Sequence, residues 1–286
     1  MTGWLIVNGF LKTSKFEELS QMFVEAAREC HIQLKVVDNH CLLAGEKILT
    51  KGKPDFVVFW DKDVLLAKYL ENAGLKVFNS SEFISICDDK RKTFLALEHA
   101  GLPIPKTILA PMTYDKTDFS DLSFLTRVID ELGFPMVVKE AYGSFGEQVY
   151  KVDEEQQLYE LVGRISTTEL LFQEFIEESS GRDIRLQVVG DGVCSSMIRT
   201  SEHDFRANIT VGGSMHSYEP EQKAMDLAIS AVKKLGGDFA GVDLLFTEHG
   251  YVICEINSNA HFKNLYQCTG VNTAVCILEY IKEELR

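Results

Sequence analysis

Two carboxylates and an amide recur near the end of the chain in a pattern suited to a hard cation. The segments Gly241 to Phe246 and Tyr251 to Asn257 flank Thr247-Glu248-His249-Gly250, and their apolar character reads as a β-hairpin turning near His249. With that turn, Asp243 lies across from Glu255. Alternation then sets Glu255 and Asn257 on the face of Asp243, while Val242, Leu244, Phe246, Val252, Cys254 and Ile256 take the other. Carboxylates directly opposite one another repel, so a divalent ion between them makes physical sense. An amide oxygen two residues on would complete a site of the kind Mg²⁺ shares with substrate phosphates. The competing reading is the polar outer face of an ordinary hairpin, and a slip of one residue would part the two acids.

A second set joins cations to glycines. Lys139 ends an apolar strand, and Gly143 and Gly146 flank Ser144 and Phe145 just beyond it. Backbone N–H groups can approach phosphate oxygens there with no Cβ in the way. A phosphate-covering loop and a plain turn beside a snorkelling lysine both fit, since the chain has neither a Walker A sequence nor G-x-G-x-x-G. Lys90 opens a helix, where a solvated surface lysine is the alternative. Gln173-Glu174-Phe175-Ile176 could offer backbone groups to an adenine and a carboxylate to a ribose hydroxyl, or simply join two domains. Asp183, Arg199, Phe205-Arg206-Ala207-Asn208 and Val211-Gly212-Gly213 follow. Arg199 and Arg206 suit a developing phosphoryl or tetrahedral charge, with surface salt bridges as the alternative.

These residues need elements to hold them. Leu5 to Val7, a helical stretch from Phe16 to Cys30, Leu34 to Val37, Phe56 to Phe59, a helix from Val64 to Ala73 and Lys76 to Phe78 alternate as in a parallel sheet covered by helices. Asn79-Ser80-Ser81 then offers helix caps. A helix from Asp89 to about Ala100 is closed by Gly101, Pro103 and Pro105. Strands at Met136 to Lys139 and Gln148 to Val152 enclose the glycine loop, followed by a helix from Glu154 to about Gly163. Later strands cover Leu170 to Phe175, Asp183 to Val189 and Val193 to Thr200, the last two joined at Gly190-Asp191-Gly192. Ala224, Leu227, Ala228, Ala231 and Leu235 form one apolar helical stripe, and a last helix starts near Asn272. The expected domains are 1–88, 89–172 and 173–286, with an α/β first domain and two α+β units after it.

Composition excludes several classes. At 286 residues and a net charge of −14, the chain is large enough for more than one core and a poor partner for nucleic acid, which needs clustered Lys and Arg. No apolar run reaches the length of a membrane span. The seven cysteines show no C-x-x-C spacing, which argues against zinc and against a disulfide framework. A cytoplasmic protein is expected.

Taken in order, Asp89-Lys90, Phe134 to Lys139 with Gly143 to Gly146, Gln173 to Ile176, Gly181 to Arg185, Phe205 to Asn208, Ala240 to Asp243 and Glu255 to Asn257 resemble the ATP-grasp superfamily, and within it the RimK-type ligases, over essentially the whole chain. The resemblance implies an ATP-grasp fold, with a pre-ATP-grasp domain ahead of two units that clamp ATP. It implies that Lys90 and Lys139 contact ATP phosphates, that residues 173 to 176 hold the adenine, and that the loop at Gly143, Ser144 and Gly146 closes over the triphosphate. Asp183 is counted with the nucleotide residues. Asp243, Glu255 and Asn257 would bind two Mg²⁺ ions, with Mn²⁺ able to substitute, and Arg206 and Asn208 would line the reacting end. The tail, Asn257 to Asn264 with Thr269-Gly270-Val271, looks closer to the LysX-like branch, which places Asn264 and Thr269 near the amino-acid acceptor. Val211 stands where many relatives carry arginine, so the acceptor does not carry over from either branch.

The activity implied is ATP-dependent joining of a carboxylate to an amine through an acyl-phosphate, adding an amino acid such as glutamate to a peptide, carrier protein or small molecule. A ligase acting on a ribosomally made peptide, a small-molecule kinase and an ATP-sensing binding protein are the alternatives. Relatives of this kind assemble as dimers or tetramers.

Overall fold

The computed structural model describes residues 1–46, 52–114, 117–143, 146–165, 168–209 and 212–286; Ser144 and Val211 lie outside them. In the first third, β1 (Thr2–Val7), β2 (Gln33–Asp38), β3 (Phe56–Trp60) and β4 (Val77–Phe78) form a parallel sheet of order β2-β1-β3-β4. Every residue of β3 is buried, as expected of a parallel strand covered on both faces. Between these strands run α1 (Ser14–Glu29) and α2 (Val64–Asn72). α1 buries Leu19, Phe23, Ala26 and Ala27, the one-sided spacing of an amphipathic helix. From β1 the chain goes outward to β2 and from β3 it goes outward to β4 on the opposite side, so the loops after β1 and β3 part and leave a crevice at the strand ends.

After β4 come α3 (Ser81–Asp88) and α4 (Lys90–His99), capped by Ser80 and Asp89. The second sheet contains β5 (Thr107–Leu109), β6 (Met136–Glu140), β7 (Val149–Val152) and β8 (Leu170–Glu174), in the antiparallel order β5-β8-β6-β7. It packs Met136, Val138 and Phe172 against α5 (Phe124–Leu132) and α6 (Glu155–Arg164). The boundary expected between residues 172 and 173 falls inside β8, which pairs in this sheet through Glu174.

The third sheet, β9 (Arg182–Val189), β10 (Gly192–Thr200), β11 (Ser214–Ser217), β12 (Phe239–Thr247) and β13 (Gly250–Asn257), has the order β11-β10-β9-β12-β13. One face buries Ala224, Ala228, Ala231 and Val232 of α7 (Gln222–Lys234), and also Phe83 and Leu97 from α3 and α4. The other face is continuous with the core of the first sheet. There Met197, Phe239 and Phe262 join Phe23 and Trp60, along with Leu265 of α8 (Lys263–Thr269) and Ile277 of α9 (Thr273–Glu284). Trp60 stacks on Phe239 with ring centroids 5.7 Å apart. Each such aromatic contributes roughly 1.5–3 kcal/mol on burial, so the first and third sheets are tied by one apolar layer.

Asn79 adds a polar tie. Fully buried, its amide donates to the carbonyls of Phe239 (2.8 Å) and Ser258 (2.9 Å) and accepts from the N–H groups of Asp238 (2.8 Å) and Phe239 (3.2 Å). Of the residues read as helix caps, Ser80 does that work, accepting from Phe83 N–H, and Asn79 does not. Among the described residues, the strands β5 and β11 and the α-helices α5 and α8 lie outside the sequence expectation.

Candidate active site

The register of the last hairpin decides the site. β12 pairs with β13 so that Asp243 faces Glu255 and Gly241 faces Asn257, with a shift between Asp243 and Leu244, which faces Ile253. Cys254 is therefore the extra residue of a β-bulge. Strict alternation sends Val252 and Cys254 to the core face. The bulge overturns that: Ile253 and Ile256 are the fully buried core residues and Tyr251 packs beside them, while Cys254 lies 3.8 Å from Lys139 Nζ. Without the bulge, the two-residue turn at Glu248-His249 would set Asp243 opposite Cys254.

Asp243 is 2% exposed and already paired. Arg185 chelates it, Nε to Oδ1 at 2.6 Å and Nη2 to Oδ2 at 2.7 Å, and Arg199 Nη2 stands 3.0 Å from Oδ2. Arg199 in turn grips both oxygens of Asp183 at 2.6 Å. Burial pushes the Asp243 carboxyl up, but the two guanidinium charges outweigh it and hold the group at about 2. For Asp183 burial wins: it faces one main guanidinium and feels the Asp243 charge, so its pKa is raised. Arg185 belongs to this network but was given no role from sequence. Its signal was legible: it lies two residues from Asp183 on the same strand face, and directly across from Asp243 in the register of β9 with β12.

The second sheet supplies the lysines. Lys139 on β6 is 7% exposed, and Lys90, the first residue of α4, donates to the Gly143 carbonyl at 3.3 Å. Burial lowers the pKa of Lys90, Glu255 raises it, and Lys139 lowers it again, so the three charges share one space. Gly143 has φ +135°, and a Cβ there would clash with the Gln148 side chain. Gly146 has φ +80°, and its carbonyl accepts from Arg206 Nη1 at 2.6 Å. Arg206 is fixed in turn by Asp204, at 3.0 and 2.7 Å. Lys90 and Arg206 thus hold both described ends of the glycine loop. Gln173 donates to Thr107 Oγ1 at 2.9 Å, Glu174 accepts from Lys106 N–H at 2.6 Å, and Phe175 meets Phe205 with centroids 6.1 Å apart.

Two cavities meet on this framework. The smaller, about 110 Å³, is lined by Lys90, Lys139, Gly143, Gly146, residues 173 to 176, Asp183, Arg206, Asp243 and Cys254. The larger, about 780 Å³, opens at the ends of β1 and β3 and takes in Lys15 and Arg185, Asn257, His261 and Asn264. Arg199, Asn208 and Glu255 line both. The smaller space lies below the roughly 300 Å³ at which ligand pockets begin. Thr269 lines neither cavity; its hydroxyl donates to Leu265 O at 2.7 Å and accepts from Val271 N–H at 3.2 Å.

The donor set fits a hard divalent ion. Two carboxylates and an amide give oxygen ligands of the Mg²⁺ type. A carboxylate has about four lone-pair sites, so Asp243 is not exhausted by Arg185. The Asn257 amide keeps a buried Nδ2 without a hydrogen-bond partner, and an amide turned over presents oxygen at that place. Among the described residues no three His, Cys, Asp or Glu side chains gather as a metal site, so a metal here needs the amide and a substrate oxygen as well.

Comparison with known proteins gives the family. Residues 87–281 match the family model of the RimK-like ATP-grasp domain. The chain is similar to a probable alpha-L-glutamate ligase of Legionella pneumophila (32% identical, covering 77% of this chain and 71% of that one). It is also similar to the glutamate–LysW ligase ArgX of Sulfurisphaera tokodaii (31% identical, 75% of each). Among solved structures, an ATP-grasp RimK domain protein from Sphaerobacter thermophilus shares the fold at a TM-score of 0.74 and 20% identity, over 98% of this chain and 99% of that one.

Proposed function

Since the chain belongs to the RimK-like ATP-grasp family, we infer that it is an ADP-forming acid–amino-acid ligase that activates a carboxylate with ATP and passes the acyl group to an amine. One observation carries the reading: the lysine-lined and substrate-sized cavities meet at Arg199, Asn208 and Glu255, where a γ-phosphate from one side and a carboxylate from the other would come together.

Each residue then takes a part. Residues 173 to 176 with Val137 and Leu245 give the smaller cavity its apolar end for an adenine, and Asp183 stands by holding Arg199. Lys90 and Lys139 neutralise the phosphates, and the loop from Gly143 through Ser144 to Gly146 covers them, with Arg206 as its strap. Bound at Asp243, Glu255 and Asn257, Mg²⁺ would supply charge neutralisation for the triphosphate. The transfer is chiefly positioning plus electrostatics, so no enzyme nucleophile is required. Arg199 reaches both cavities and faces the oxyanion formed when the amine attacks, and Asn208 and Asn264 orient the acceptor. A closed site matters because water would hydrolyse the mixed anhydride. We assign the acceptor to an amino acid such as glutamate and the acid to a peptide, carrier protein or small molecule, in a dimer or tetramer of the cytoplasm. No helix among the described residues is long and apolar enough to cross a membrane.

The test is ADP release against a library of amino acids and short Glu-terminated peptides, with products identified by mass spectrometry and hydroxylamine as a trap. A hydroxamate and an amide product are expected. ADP accompanied by a stable phosphate ester and no hydroxamate would replace the ligase with a kinase.

A further inference from the structure

The ion pair of Arg185 with Asp243 stands as a wall between the two cavities: Arg185 lines only the larger one and Asp243 only the smaller. It also sets a conflict. The carboxylate assigned to a divalent ion is chelated by one guanidinium and touched by a second. A divalent ion on Asp243 would repel both at close range in a poorly solvated setting. The two arginines are not equally able to yield. Arg199 has its side chain 4% exposed and is bound to Asp183 through two nitrogens as well. Arg185 has its side chain 14% exposed, it donates to Asp243 through Nε and Nη2, and about 780 Å³ of space lies beside it.

We propose that Arg185 has two positions: the one seen, on Asp243, and one in the larger cavity, reached when a divalent ion takes Asp243, where its guanidinium holds an anionic group of the substrate against Lys15. The identity of the ion rests on the ligase reading; the exchange itself rests on the geometry.

Lys15 is placed for this. It sits in the first turn of α1, and its carbonyl is 3.0 Å from His261 Nε2, which fixes that turn to the chain leaving β13. Burial and then the Arg185 charge lower the Lys15 pKa, and both side chains line the larger cavity. The larger cavity as a whole also carries Lys12, Glu17, Asp38, Asp61, Lys62, Arg199, Glu255 and His261 among its lining. An anion drawn between Lys15 and Arg185 relieves their repulsion. Binding then becomes ordered: metal at Asp243 first, acid in the larger cavity second, with Arg185 as the coupling.

Two readouts without turnover test it. In nucleotide-free protein titrated with Mn²⁺ and followed by electron paramagnetic resonance, Arg185→Gln should bind the ion at least tenfold more tightly than wild type, with Arg185→Lys in between. Equal or weaker binding, or none in any form, overturns the exchange. Circular dichroism shows whether Arg185→Gln is folded. If it is not, the wild-type protein decides alone: Mg²⁺ should raise phenylglyoxal labelling of Arg185 severalfold and leave Arg199 unlabelled, and an unchanged Arg185 rate refutes the second position. Glutamate or succinate, added with Mg²⁺, should protect Arg185 in wild type but not in Lys15→Gln; protection absent in both, or equal in both, removes the anion site. A chain that passes these tests but never forms ADP keeps the exchange and loses the ligase.

Discussion

Replacing Asn79 by alanine should be the most damaging polar substitution outside the cavities. The side chain is fully buried and saturates four backbone groups: two carbonyls, of Phe239 and Ser258, and two N–H groups, of Asp238 and Phe239. A buried group left without a partner costs about 1–3 kcal/mol. Four of them would sum to more than a water filling the vacated space would leave, and about 4 kcal/mol is the expected loss. Against a total stability of roughly 5–15 kcal/mol this is a large share. Urea unfolding followed by tryptophan emission in a Trp4→Phe background reads the right place, because the remaining indole, Trp60, stacks on Phe239. Ser80→Ala is the control: it removes only the cap on α3, for about 1 kcal/mol. If Asn79→Ala cost no more than Ser80→Ala, residue 79 would be a cap after all and the tie between the sheets would lie elsewhere.

Lys139→Ala and Glu255→Gln should each abolish ADP release in the presence of acid and amine, and an unchanged rate for either removes that residue from the site. Asp183→Asn should destabilise by about 3–5 kcal/mol, because it leaves the buried Arg199 facing a neutral amide in place of a carboxylate; a urea midpoint within error of wild type would show that Asp243 alone suffices. Asp238 is raised to about 6 by burial, against the help of Tyr280. Its folded pKa exceeds the unfolded value, so the folded state holds the proton more tightly, and stability falls as pH rises from about 4 to about 6. Asp238→Asn should therefore gain up to about 3 kcal/mol at pH 8 and nothing near pH 4, less if solvent screens the partly exposed carboxylate; equal midpoint shifts at the two pH values would contradict this.

Much of the fold was legible because its signals are local. Period-3.6 stripes announced α1 and α7 within a residue or two, and apolar runs announced β1 to β3 and the pair β12 and β13. Elements whose stability comes from neighbours were silent. β5 is three residues long and depends on pairing with β8, and β11 reads Ser-Met-His-Ser, with polarity on both faces. Asn79 looked like a cap because its spacing before Ser81 is a cap's spacing. Only the distant carbonyls at 239 and 258 give it a different task, and no local pattern encodes them.

The last hairpin shows the same division more sharply. Facing Asp243 with Glu255 from the sequence was right in outcome, yet the alternation used to reach it put Cys254 on the wrong face. A two-residue turn at Glu248-His249 and unbroken alternation cannot coexist with Asp243 opposite Glu255. One extra residue has to be absorbed, and the strand absorbs it at Cys254. The bulge lets Ile253 and Ile256 stay in the core while both Cys254 and Glu255 reach the smaller cavity, which regular pleating would forbid for adjacent residues. The register that pairs two acids and the bulge that turns an extra side chain toward Lys139 are therefore one feature, and removing it would carry Glu255 away from Asp243.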